Sequence, residues 1–183
     1  MSCRILSRRI ACFLILMLAA GSLSSLVAQD QNDPLTEDEV QQVRDNAIHP
    51  DDRIKLYTKF ITERLDELKH LSADPTTKDA RTEIRAKFDE FTHLCDELQD
   101  NLDTYDAQHA DIRKSLKELV AATAKWPDVL KAVPDDPTYD FTRITALEAA
   151  KSATEQAKQL SIEQDVYFQT HKDERHKNGT GPD

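Results

Sequence analysis

Residues 76–126 read TTKDARTEIRAKFDEFTHLCDELQDNLDTYDAQHADIRKSLKELVAATAKW, with neither glycine nor proline. Glycine supplies the positive φ of helix ends and proline breaks a helix interior, so the stretch holds neither of the usual stop signals. Positions 84, 88, 91, 95, 98, 102, 105, 109, 112, 116, 119, 123 and 126 alternate in steps of four and three. They carry Ile84, Phe88, Phe91, Cys95, Leu98, Leu102, Tyr105, His109, Ile112, Leu116, Leu119, Thr123 and Trp126, a set that only His109 and Thr123 keep from being wholly apolar or aromatic. A heptad held in phase this long predicts one continuous helix with a coiled-coil-like seam. At 1.5 Å per residue it would run about 75 Å. The opposing signal is DNLDTYDAQHAD over 100–111, where four aspartates, an asparagine and a threonine each cost a few tenths of a kcal/mol of helix propensity. A break there would fold the chain into a compact four-helix bundle. The unslipped heptad phase through Tyr105 and His109 favours the continuous helix.

On the N-terminal side, Pro50 opens a helix over 50–72 at the position where its missing N–H costs nothing, and Asp51 and Asp52 suit the positive end. Its apolar stripe is Ile54, Tyr57, Ile61, Leu65, Leu68 and Leu71, widened by Leu56 and Phe60. Before it, Thr36 and Glu39 have capping-box spacing and predict a short first helix within 29–49. On the C-terminal side, Trp126-Pro127 opens a connector with about one helical turn. A last helix over 139–171 then presents Ile144, Leu147, Ala150, Ala153, Ala157, Leu160 and Tyr167, a seam small enough for close approach. The fold class is therefore all-α: an elongated antiparallel helical bundle with one long central helix (about 76–126) flanked by helices 50–72 and 139–171. The flanking helices overlap only briefly along the central one, which leaves Phe88, Phe91 and Leu119 short of burial worth roughly 1.5–3 kcal/mol each. Self-association as a homodimer would supply it.

Residues 1–28 carry Arg4, Arg8 and Arg9, then the apolar run IACFLILMLAA and the small polar GSLSS, the order of a secretory signal peptide. The chain is thus expected to be periplasmic or secreted, with a membrane association only if that segment stays uncleaved. The domain at 50–171 would precede a disordered polar tail at 172–183. All Asp and Glu lie beyond residue 28, so the exported body is more acidic than the whole-chain net charge of −10. A field of that sign excludes nucleic acid and anionic headgroups as partners. Cys3 and Cys12 leave with the signal and Cys95 stands alone on the apolar stripe, which excludes an internal disulfide framework.

Chemistry is sparse. Between Gln29 and Asn178 there is no glycine, which rules out a P-loop, a dinucleotide fingerprint and a glycine-framed nucleophile elbow. No Cys-x-x-Cys-His motif is present and both methionines precede residue 29, so covalent or Met-ligated haem and Met-rich copper sites drop out. Glu67-x-x-His70 and Glu90-x-x-His93 have the Glu-x-x-His spacing of di-metal bundles. Both point away from the predicted core and sit at different distances from the turn near Pro75, so they are candidate metal ligands by spacing alone. His109 occupies a seam position and is a candidate register or pH-sensitive element. If it is buried for register, His109→Leu would stabilise the protein. No catalytic constellation and no cofactor is expected.

The opening Leu35-Thr36-x-x-Glu39 resembles the Leu-Thr-x-x-Gln motif of small periplasmic helical chaperones and stress sensors over five residues, departing at the last. The stretch DELQDNLDTYDAQHADIRKSLKELV resembles exported helical proteins of environmental bacteria, a resemblance that implies no activity, cofactor or site residue. The sequence reading is an exported, acidic, non-catalytic protein–protein interaction or scaffold module. The alternative is a metal- or small-ligand-binding helical bundle.

Overall fold

The computed structural model describes residues 33–46, 48–73 and 78–175. The expected signal segment and residues 176–183 of the tail lie outside them. The described chain forms α1 (Glu37–Asp45), α2 (Pro50–Ser72), α3 (Lys78–Ala107), α4 (Arg113–Thr123), α5 (Trp126–Ala132), α6 (Asp140–Thr170) and a final 3-10 turn (Lys172–Glu174). It is an all-α helical bundle.

The capping box of α1 forms as the spacing requires. The Glu39 amide donates to Thr36 Oγ1 at 3.2 Å and the Thr36 amide donates to Glu39 Oε2 at 2.7 Å. Pro50 begins α2, with the acidic first turn of Asp51 and Asp52 behind it. The backbone of α2 runs beside α3, α4 and α5, and that of α6 beside the same three, while the backbones of α2 and α6, and of α3 and α4, stay apart. In cross-section α2 and α6 are therefore one diagonal, and α3 and the α4–α5 pair are the other.

This corrects the single helix expected over 76–126. The chain stops at Ala107, turns through 108–112, and resumes as α4. The ring of Trp126 meets that of Phe91 edge-on at 5.7 Å, a contact that a continuous helix would hold roughly 50 Å apart. The reason is burial. Folding back gives Ile112, Leu116, Leu119, Phe88 and Phe91 complete enclosure, where one long helix would have left them a single neighbour. Leu94, outside the four-three seam, is also fully buried, because α3 has two adjacent helices and needs a stripe wider than a coiled-coil seam. The heptad phase survives because both segments bury one face, and a five-residue turn happens to restore the register.

The connector after Trp126 is a two-turn helix, α5, rather than a loop with a single turn. Tyr139 closes it: the buried ring lies 5.8 Å from Phe88 and its hydroxyl donates to the Pro134 carbonyl at 2.8 Å. In α6 the buried positions are Thr142, Ala146, Ala149, Ala150, Ala153, Ala157, Leu160, Gln164 and Phe168. The expected alanine seam is there, but Ile144 faces solvent and Tyr167 is only half-buried. Residues 172–175, expected to belong to a disordered tail, fold back instead. Arg175 donates through Nε and Nη2 to the Phe168 carbonyl at 3.1 and 2.7 Å.

Candidate functional site

The break between α3 and α4 has its backbone groups satisfied one by one. The His109 amide donates to the Asp106 carbonyl and the Ala110 amide to the Tyr105 carbonyl, each at 2.9 Å, the paired bonds of a Schellman motif. Position C′ of that motif requires the left-handed region, and here His109 takes it at φ 51° where glycine is usual. Buried Gln164 then reaches across from α6. Its Nε2 donates to the Ala110 carbonyl at 3.0 Å and its Oε1 accepts from the Ile112 amide at 3.2 Å. Asp51, from the first turn of α2, accepts from the Ser115 amide at 3.1 Å and so caps α4 from another helix.

His109 is therefore not a buried seam residue. It is exposed, and its ring stacks on Tyr167 at 4.6 Å, with His171 stacked on Tyr167 at 4.0 Å. The Tyr167 hydroxyl donates to Glu174 Oε2 at 2.6 Å, and this bond to a carboxylate, with a little desolvation, pushes the phenol up to about 12. Asp106, His109, Glu163, Gln164, Tyr167 and Phe168 line a pocket of about 180 Å³ beside the stack. It offers two carboxylates and ring edges, and no nucleophile.

The candidate ligands Glu67, His70, Glu90 and His93 are separated by type. The carboxylates meet across α2 and α3: Lys87 Nζ lies 2.8 Å from Glu67 and 2.9 Å from Glu90. Glu67 from α2 and Glu90 from α3 thus share one cation, Lys87. Both histidines are exposed and outside this cluster. Among the described residues, no group of three or more His, Cys, Asp and Glu is placed to hold a metal ion.

The same cluster contains a group the sequence reading missed. Arg64 is 4% exposed on the apolar face of α2, donating to both oxygens of Glu39 at 3.0 and 2.7 Å and to the Pro34 carbonyl at 3.0 Å. Its Nε lies 2.6 Å from Glu90 but out of line for a hydrogen bond. Burial alone would push the Glu39 carboxyl up, but the bonds from Arg64 and the Thr36 amide outweigh it and hold the group below its ordinary value. Burial likewise opposes the charge on Arg64, and its acidic neighbours overcome that too. Position 64 shares a helical face with Tyr57, Ile61 and Leu68, so periodicity marked it. Its charge concealed it. Cys95 is fully buried, and burial followed by the nearby Asp96 charge pushes its thiol well up, away from reactivity.

The third feature is the outward face of α6. Five large apolar side chains are exposed among the described residues, and four belong to this helix: Phe141 at 79%, Ile144 at 54%, Ile162 at 64% and Val166 at 60%. They lie on one side, opposite the alanine seam, with exposed Glu148, Lys151, Glu155 and Lys158 between them. The flanks are tied to neighbours. Ser152 Oγ donates to Gln99 Oε1 at 2.6 Å, and Gln156 Nε2 donates to Asp103 Oδ1 at 2.6 Å. The signal was present in the sequence as a second four-three spacing, overshadowed by the alanine-rich one.

No family model, no curated protein and no solved structure matches this chain.

Proposed function

We propose that this protein is an exported, acidic, non-catalytic interaction module that presents the outward face of α6 to a protein partner. The observation that carries the reading is that four exposed large apolar residues share one side of a single helix, Phe141 with Ile144 near its start and Ile162 with Val166 near its end, in an otherwise well-buried bundle. Large apolar side chains left in water along one side of a helix point to an interaction site more than the same residues scattered over the surface would. The rest of the chemistry supports it. The buried polar groups are spent on structure: Asp51 and Gln164 on backbone amides, Glu39 and Arg64 on each other, and the Ser115 hydroxyl on the Ile112 carbonyl. The alanine seam lets α6 sit close to α3 and α4, and a rigid helix displays its surface with little ordering cost on binding.

The test is photo-crosslinking in the cells that make the protein. Benzoylphenylalanine is placed at Ile144 or Ile162, with exposed Lys69 on α2 as control. Light-dependent adducts at 144 and 162 but not at 69 are expected. Absence of adducts at both α6 positions overturns the reading.

A second reading, a small-ligand-binding bundle, has the pocket beside His109 in its favour, since the carboxylates of Asp106 and Glu163 suit a cationic group. Titration with spermidine, followed by the Tyr167 ring signals, checks it. Unchanged signals at millimolar ligand dismiss it.

A further inference from the structure

The outward residues of α6 follow their own heptad: Phe141, Ile144, Glu148, Lys151, Glu155, Lys158, Ile162 and then Val166. Read from either end, this series is complementary to itself. A two-fold axis at the level of Ala153, perpendicular to the helix, sets Ile144 against Ile162, Glu148 against Lys158 and Lys151 against Glu155 of a second copy. Phe141 falls beside Val166 at each end. Ala153 itself is fully buried on the opposite side, so the axis meets the helix on its solvent face. We infer that the occupant of this face is a second copy of the chain, joined through antiparallel pairing of the two α6 helices. The inference rests on the interaction reading above and names its partner.

Charge decides the orientation. In a parallel pair each of the four charges would face its own like, Glu148 on Glu148 and Lys151 on Lys151. In the antiparallel pair all four meet an opposite charge. This is specificity by exclusion of the wrong arrangement, as at the flanking positions of coiled coils. Within one chain Lys151 and Glu155 sit only 3.8 Å apart, and both remain more than two-thirds exposed, so they can exchange partners on association. Glu148 and Lys158, ten residues apart, are about 15 Å from each other along their own helix and cannot pair within it.

Size sets the strength. The paired stretch is about 40 Å long and a helix is about 10–12 Å wide, so each copy buries on the order of 400–500 Å². The total, near 1,000 Å², falls in the class of weak and transient interfaces. The dimer is therefore concentration-dependent, in the micromolar range, and weakened by salt.

The experiment is sedimentation equilibrium of the protein recovered from its producing cells, across about 1–500 µM at low salt. It compares wild type, Glu148→Lys, Lys158→Glu and the double exchange. All substituted positions are exposed, and circular dichroism verifies the fold. Each single exchange places two like-charge contacts in the dimer and raises Kd at least tenfold, while the double exchange returns it to within about threefold of wild type. A wild type that stays monomeric throughout overturns the inference. So does a dimer in which the exchanges have no effect or simply add. Crosslinks from Ile162 to a different protein, with a monomeric wild type, would sink the second copy while leaving the interaction reading intact.

Discussion

Replacing Gln164 by leucine removes the side chain that holds the break between α3 and α4. Gln164 is 3% exposed, and its two partners, the Ala110 carbonyl and the Ile112 amide, belong to residues with no exposure at all. Water cannot take over without opening the turn. Each orphaned backbone group costs about 1–3 kcal/mol, so the pair costs roughly 2–6 kcal/mol, less about 1 kcal/mol for the better burial of leucine. Leucine and glutamine have similar helix propensity, so the loss cannot come from α6 itself. A net ΔΔG of about 1–5 kcal/mol, centred near 3 kcal/mol, is expected in urea unfolding. In a thermal melt the central value lowers Tm by about 6–12 °C at roughly 2–4 °C per kcal/mol. Hydrogen exchange at Ile112 localises it, protected in wild type and fast in the variant. Gln164→Glu sharpens the test. A carboxylate facing the Ala110 carbonyl is unfavourable, so burial raises the folded pKa of the new group. The variant is therefore weakest at neutral pH and regains stability as pH falls and the acid can donate. The control is Gln159→Leu, whose side chain makes only an exposed bond to Glu163 and should cost under about 0.5 kcal/mol. If Gln164→Leu is as mild as that control, the account of the break is wrong.

At the turn, His109→Leu destabilises relative to His109→Gly by about 1–2 kcal/mol, because φ 51° disfavours any side chain and glycine removes the penalty. With His109 exposed, His109→Leu also gains none of the stability over wild type expected of a buried register residue, and urea melts of wild type and the two variants decide both points. Arg64→Met leaves Glu39 buried without its cation and costs about 3–5 kcal/mol by the same assay. The Glu39 carboxyl has a depressed folded pKa. Its contribution is present above the unfolded value of about 4.3 and lost as pH falls through the folded one. Glu39→Gln should therefore narrow its gap from wild type below pH 4, and a gap constant from pH 7 to pH 2 would refute the linkage.

The helices at 37–45, 50–72 and 140–170 were legible because each carries its own start signal or apolar period. Thr36 with Glu39, Pro50, and the spacing of Ala150, Ala153, Ala157 and Leu160 are local facts. The break was not legible as a break. Its stop residue is a histidine in a glycine position, and its supporting groups, Gln164 and Asp51, come from 52 and 64 residues away in sequence. Propensity flagged the stretch 100–111, and the heptad phase argued it away. Arg64 shows the same limit: a charge on an apolar stripe reads as a flaw until Glu39 is placed beside it. The two Glu-x-x-His spacings were visible, but only the fold shows their carboxylates converging on Lys87 with the histidines turned outward. The palindrome of α6 was written in the sequence throughout. It acquires meaning only once the alanine side is known to be the buried one.

The fold-back at 108–112 is the premise on which the α6 face and its neighbours rest, and one distance tests it. Trp126 is the single tryptophan and Cys95 is fully buried, so with Cys3 and Cys12 replaced by serine a His93→Cys variant accepts a fluorophore at one exposed position. With Phe91 in contact with Trp126, residue 93 lies across the width of α3, about 15–20 Å from the indole. Energy transfer from Trp126 to the label should be efficient in the native protein and collapse on unfolding in urea. Negligible transfer in the native protein, corresponding to the roughly 50 Å of an unbroken helix, would contradict the account.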